Sequence, residues 1–365
     1  NPDPVAIAAG DLQRVVQVQF ATGGSYTLGA TNFSQIPLNG VKCWNRGNSS
    51  QSCGFTAANV PCYAKGLDAC SNPSGAPARC GVSGNRLYTK ATGQAVAFDL
   101  VALNAQVGGS VDTAFSGTVT VDLVDNPSFN AADNTCAASG TKAGLTGSSQ
   151  NIVFSGGYPQ TPANFSFAAG SNTVAAKNVR VRFTQGSLIL CSLDQFAIRP
   201  AAFAVSAWDS ATQLNNGTLT GNPFLKAGRD FTLRADGGSG YVATSGGAVT
   251  LDSSLAGQKV WTHVGSGDFT DRLLASATAG NTVTFTGPGS GSTVATATVQ
   301  YHDWGLFTVK TGAVVDADFA SASGDPAASD CVTGSSSNTA NGAGKIGCNI
   351  ANQVDVPIGR FAVDH

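Results

Sequence analysis

The stretch Gln195-Phe196-Ala197-Ile198-Arg199-Pro200-Ala201-Ala202-Phe203-Ala204-Val205-Ser206 decides how the rest of the chain is read. Phe196 and Ile198 alternate with Ala197 and Arg199, the period-2 signature of a half-buried strand. Pro200 has no backbone donor, so a central strand cannot run through it. A second alternating run opens at once, with Phe203 and Val205 on one side. One strand closes a unit, a proline marks the joint, and a new strand opens the next. With no glycine beside Pro200, the connection is expected to be short and stiff. Arg360-Phe361-Ala362-Val363-Asp364-His365 echoes the first of these strands and reads as the closing strand of another unit.

Upstream of the joint, residues 87–200 carry short β-rich runs. They are Ala95 to Leu103, Thr118 to Val124, Asn151 to Phe154, Asn164 to Phe167, Val179 to Phe183, and the closing run from Asp194 to Arg199. Gly, Asn, Asp and Pro turns separate them, the spacing expected of an antiparallel sandwich. Downstream, residues 201–365 repeat the plan. Lys226-Ala227-Gly228 leads to Phe231-Thr232-Leu233 as Lys90-Ala91-Thr92-Gly93 leads to Phe98-Asp99-Leu100. Two opening and two closing motifs in the same order indicate a tandem repeat. Residues 1–86 are less regular, with strand signals only at Val15 to Phe20 and Tyr26 to Leu28.

Composition agrees with this plan. All 22 acidic residues are aspartate, methionine is absent, and glycine stands at 45. Glu and Met favour helices, whereas Gly, Asp and Asn favour turns. The fold class expected is all-β: tandem Ig-like antiparallel β-sandwiches behind a cysteine-rich, irregular β N-terminal segment. A net charge of -2, with no Lys/Arg cluster, argues against a nucleic-acid partner. No apolar run reaches the roughly 18 residues of a membrane span. The lack of an initiator Met and of a basic-then-apolar leader suits a processed or excised chain.

The nine cysteines form no C-x-x-C pair, which points to disulfides in an oxidising compartment rather than to zinc. Cys43, Cys53, Cys62, Cys70 and Cys80 are spaced 10, 9, 8 and 10 apart in a segment with few apolar runs, expected to be stapled more than packed. Cys136 follows a strand and Cys191 immediately precedes the closing strand, so these two are the favoured pair. Cys331 and Cys348 bracket a loop rich in Ser, Asn and Gly that a disulfide would restrain. The odd count leaves one thiol free, or paired outside this chain.

Residues for catalysis are few. His263, His302 and His365 are far apart, and neither a zinc helix nor a nucleophile elbow is present. Gly287-Pro288-Gly289-Ser290-Gly291 lacks the strand-to-helix context of a phosphate loop. Glycoside hydrolysis would need two aspartates, with Asp122 and Asp125 or Asp268 and Asp271 the closely spaced candidates, but Asp is foremost a turn residue. Asp316, Asp318, Asp325 and Asp330 could contribute to a calcium site with backbone carbonyls, but they match no EF-hand spacing and read first as solvated loop residues. Among Trp44, Trp208, Trp261 and Trp304, only Trp44 sits in an irregular segment, where a ring can meet a glycan. Lys90 or Lys226 could join a strand Asn through an isopeptide bond, given a buried acid nearby. No cofactor is expected.

A resemblance is carried by four stretches already in view or adjacent to them. They are Arg86-Leu87-Tyr88-Thr89-Lys90 with Phe98 to Leu103; Val121-Asp122-Leu123-Val124-Asp125; Cys191-Ser192-Leu193-Asp194-Gln195-Phe196-Ala197-Ile198-Arg199-Pro200; and Pro357-Ile358-Gly359-Arg360-Phe361. Together they resemble the C-terminal domain of MshQ-like proteins, encoded with MSHA-type type IV pilus systems. The likeness spans roughly residues 86–365. It implies a secreted or surface-exposed protein of Gram-negative bacteria, associated with a pilus and with adhesion. It supplies no catalytic residue. Arg360 to His365 stands where the family tends toward an aromatic-Pro-x-His-Phe ending.

The expectation is therefore a non-enzymatic extracellular adhesin or structural component of a pilus or surface filament. Its partners would be filament subunits or further copies of itself, with a surface glycan as a further ligand. A carbohydrate-binding or hydrolytic β module and a phage fibre-like module are the alternatives.

Overall fold

The structure, a computed structural model, describes residues 66–71, 86–104, 109–125, 127–131, 134–137, 149–161, 165–167, 173–186, 188–215, 224–242, 249–252, 273–275, 282–287, 292–301, 305–317, 319 and 330–362. The described residues form strands and turns, and no helix occurs among them. All lie in one compact unit, Tyr63–His365.

Ten strands build a first sandwich: β1 (Gly66–Cys70), β2 (Lys90–Ala91), β3 (Val96–Leu103), β4 (Gly117–Asp125), β5 (Gln150–Ser155), β6 (Tyr158–Thr161), β7 (Phe165–Phe167), β8 (Ala176–Gln185), β9 (Leu188–Cys191) and β10 (Phe196–Arg199). One sheet runs β1-β3-β7; the other runs β2-β10-β8-β4-β5-β6, with β9 also on β8. Alternation places Phe98, Leu100 and Ala102 of the first sheet against Val119, Val121, Leu123, Ile152, Phe154, Val181 and Phe183 of the second. Each such buried Val, Leu, Ile or Phe side chain contributes roughly 1.5–3 kcal/mol. The strand β1 arises from the cysteine field and pairs antiparallel with β3 from Gly66↔Leu103 to Cys70↔Asp99. Its Leu67 and Ala69 enter this first core.

The second sandwich holds β11 (Ala204–Asp209), β12 (Thr212–Gln213), β13 (Leu225–Lys226), β14 (Asp230–Asp236), β15 (Val249–Asp252), β16 (Leu273–Ala275), β17 (Thr282–Thr284), β18 (Val294–Tyr301), β19 (Gly305–Val309), β20 (Val314–Asp316), β21 (Ile350–Ala351) and β22 (Val356–Ala362). Its sheets run β12-β11-β14-β18-β16, β13-β22-β19 and β17-β15-β20-β21. Phe203, Phe231, Leu233, Val299, Tyr301, Ile358 and Phe361 share its core.

The repeated motifs occupy repeated places. In the first sandwich the short β2 lies parallel to the closing strand β10, with Ile198↔Lys90 and Arg199↔Ala91 paired. In the second, β13 lies parallel to β22, with Leu225↔Phe361 and Lys226↔Ala362 paired. Two residues beyond each short strand stands a glycine at positive φ, Gly93 at 75° and Gly228 at 79°, and there the chain turns toward the long strand that follows. Both closing strands carry a register shift against their antiparallel neighbours.

Candidate functional site

The alternation of β10 implies one buried and one solvated face; the structure buries all four residues. Phe196 and Ile198 point into the first core. Ala197 packs against Cys331 and Cys348, whose loop descends from the second sandwich and covers the opposite face. The half-buried reading fails because the covering segment lies more than 130 residues away in sequence.

Arg199, on that same covered face, is 0 % exposed. Its guanidinium is caged by backbone carbonyls. Nε donates to Gly347 at 2.7 Å, Nη1 to Pro200 at 2.8 Å, and Nη2 to Ser337 at 3.0 Å and Ser336 at 3.4 Å. Three of these four acceptors belong to the 331–348 loop. The planar fork of arginine suits such divergent acceptors, and a lysine does not reproduce it. Burial pulls its pKa down to about 10, which leaves it charged at neutral pH. Gly347 is required by close approach: a Cβ there would lie 2.2 Å from the Ser335 carbonyl oxygen.

Beside this cage stands an ionic clasp. Arg86 Nη2 donates to both carboxylate oxygens of Asp330 at 2.8 Å, and its Nε lies 3.5 Å from Asp194. Asp194 in turn accepts from the Leu87 amide at 2.6 Å, and the Asp330 carbonyl accepts from the Thr89 amide. Asn338 donates to the Ala201 carbonyl, and Lys345 Nζ sits 5.0 Å from the centre of the Tyr88 ring. A second contact line closes the joint elsewhere. The Ala175 amide donates to Ser239, and Lys177 Nζ lies 4.9 Å from the Phe319 ring centre. At Gly240, φ +78°, a Cβ would fall 2.2 Å from the Ala175 carbonyl oxygen. The stretch around Pro200 is thus held from both sandwiches.

Both disulfides read from the sequence are present: Cys136–Cys191 ties the loop after β4 to the end of β9, and Cys331–Cys348 closes the loop just described. Cys70 ends β1. Cys43, Cys53, Cys62, Cys80 and Trp44 lie outside the described residues, as do Trp261, Trp304, the three histidines, Asp268, Asp271, Asp318 and Asp325.

Most of the remaining candidates are engaged in packing. Asp122 forms a buried two-pronged pair with Arg182 at 2.9 Å, while Asp125, three positions on, falls on the opposite face of β4. Burial raises the pKa of Asp125. Asp316 accepts from the Tyr241 hydroxyl at 2.8 Å, deep between Phe203 and Phe319. Burial and then the Asp316 charge push that phenol far above its usual range. Trp208 donates to Ser206, and Arg234 lies 4.6 Å from the centre of its ring. Lys90 donates to Ser71 and lies over Phe98, and Lys226 is exposed. Among the described residues no group of three or more His, Cys or Asp is placed to hold a metal ion.

A cleft of about 270 Å³ opens where Lys90, Gln94 and Ala97 face Asn338, Ala340 and Ile346. It is smaller than the roughly 300–1,000 Å³ of a typical small-molecule site. Sequence reasoning missed Arg86, Arg199 and Asp330 as a joint. Arg199 inside an apolar alternation was the one available signal; its acceptors are backbone carbonyls, which no side-chain pattern announces.

No model of a known protein family matches the chain, and a search of curated proteins finds no match.

Proposed function

We propose that this chain is a non-enzymatic extracellular structural or adhesive component of a bacterial pilus or surface filament. The observation that carries the reading is the joint: two sandwiches held at one angle by a caged arginine, an ionic clasp and a disulfide-closed loop. Such a joint suits an element that transmits load or presents a surface at a fixed distance. The disulfides are compatible with an oxidising, extracellular setting. Among the described residues no helix is long and apolar enough to cross a membrane. Engagement of Asp122, Asp316 and Asp330 in structural pairs supports a non-catalytic role. The resemblance of residues 191–200 and 357–361 to MshQ-like proteins supports pilus association.

The test mixes purified full chain with filaments sheared from a bacterium carrying an MSHA-type system, and applies the same protein to a glycan array. The reading expects co-sedimentation with filaments and no hydrolysis. Failure to co-sediment counts against filament association. Hydrolysis of an arrayed glycan, abolished by a single Asp→Asn change, overturns the non-enzymatic assignment.

A further inference from the structure

We infer that the Cys331–Cys348 disulfide is the lock of the joint: closed, it fixes the angle between the sandwiches, and open, it releases a hinge at Pro200. This concerns the joint alone and holds for any extracellular role.

Four observations converge on it. The loop that the disulfide closes, 17 residues in separation, supplies three of the four acceptors around Arg199. The adjoining Asp330 grips Arg86, and Asn338 and Lys345 of the loop reach Ala201 and Tyr88. The loop itself has little apolar substance to hold it: apart from Val332, Lys345 and Ile346 it is composed of Ser, Thr, Asn, Gly and Ala. Finally, the two cysteines are 4 % and 1 % exposed, with Ala197 of β10 packed on them. Joint and disulfide therefore protect each other. Without the covalent closure a polar loop must be ordered by its contacts alone, and its entropy pulls it off Arg199. With the joint shut, no thiolate reaches either sulfur.

Opening is a two-electron reduction. A thiolate of a dithiol attacks one Sγ, the S–S bond breaks, and a mixed disulfide forms. The second thiol of the reductant then displaces it, leaving Cys331 and Cys348 as thiols and the reductant as a cyclic disulfide. Because attack must await lifting of the loop, its rate reports the equilibrium for opening the joint.

Two arms test this on the full chain. In the first, spin labels on non-cysteine unnatural residues replace Ser155 of β5 and Gln213 of β12, both exposed. Distances are measured with Cys331→Ala/Cys348→Ala, and with Cys136→Ala/Cys191→Ala as the control. The inference expects the first pair to broaden the distribution at least about twofold and the control to leave it narrow. A narrow distribution in both, or equal broadening, overturns it.

The second arm needs no cysteine variant, so it decides the matter if that one misfolds. Dithiothreitol is applied to the wild type and to Asp330→Asn, and each disulfide is mapped by mass over time. Loosening this partly exposed clasp removes a charged hydrogen bond and is expected to speed reduction of Cys331–Cys348 roughly tenfold, with Cys136–Cys191 unchanged. Equal rates for Cys331–Cys348 in the two proteins overturn the inference.

Discussion

Arg199 shows how one residue can join two domains. A buried guanidinium is costly unless its donors are satisfied, and stripping its buried carbonyl acceptors of their donor, at roughly 1–3 kcal/mol per group, costs about 3–5 kcal/mol in all. Arg199→Ala, which leaves the carbonyls of Gly347, Ser336 and Ser337 without this donor, is expected to lower stability by about that amount in denaturant titration. Arg199→Lys should fall between, because an ammonium supplies donors without the planar fork. Lys90 makes a prediction in pH. Burial pulls its ammonium down to about 8, below the value of about 10.4 for an unfolded lysine. Between those values the unfolded chain binds more protons than the folded one, so this residue's contribution to stability rises with pH from about 8 to 10. Lys90→Met should flatten that rise when unfolding is compared across the window; an unchanged slope would assign it to another group.

At the scale of elements, the repeat was legible because it is written in side-chain types. Lys-Ala-(x)-Gly marked the turns that lead into β3 and β14, and the Phe-Ala pair marked β10 and β22 as closing strands. The alternation of Phe98 and Leu100, and of Phe231 and Leu233, gave the inner faces of β3 and β14. What escaped the sequence is what depends on backbone groups or distant cover. The parallel pairing of β2 with β10 is one case, and the burial of Ala197 and Arg199 is another. The bond between Cys136 and Cys191 was legible from position alone, since a loop cysteine lies within reach of one beside a closing strand. Their separation of 55 residues predicts a loss of about 4 kcal/mol in Cys136→Ala/Cys191→Ala by loop-closure entropy. Gly240→Ala tests the other contact line. Its Cβ would meet the Ala175 backbone, and φ is positive, so lowered stability is expected together with faster amide exchange at Ala175.

For the whole molecule, the physical theme is a joint with contacts on more than one line, built from charged and backbone groups together with the packing of Ala197 on the Cys331–Cys348 disulfide. Such a joint is directional: the Arg86 fork, the Arg199 cage and the Gly240 approach each tolerate little rotation. Images of single particles should therefore show one angle between the sandwiches, and a wide spread would refute a stiff connection. The candidate site was legible in the sequence only as a place, the proline between two strands. Its chemistry was not, because Asp330 and the loop carbonyls lie far along the chain and take meaning only once β10 is covered.

Joined in this way, the two sandwiches form one cooperative body. Native-state hydrogen exchange, followed peptide by peptide against denaturant, tests it directly. The amides of β8 in the first sandwich and β14 in the second are expected to merge into one common unfolding transition. Exchange of one set through an opening that leaves the other protected by a further ~3 kcal/mol or more would contradict it.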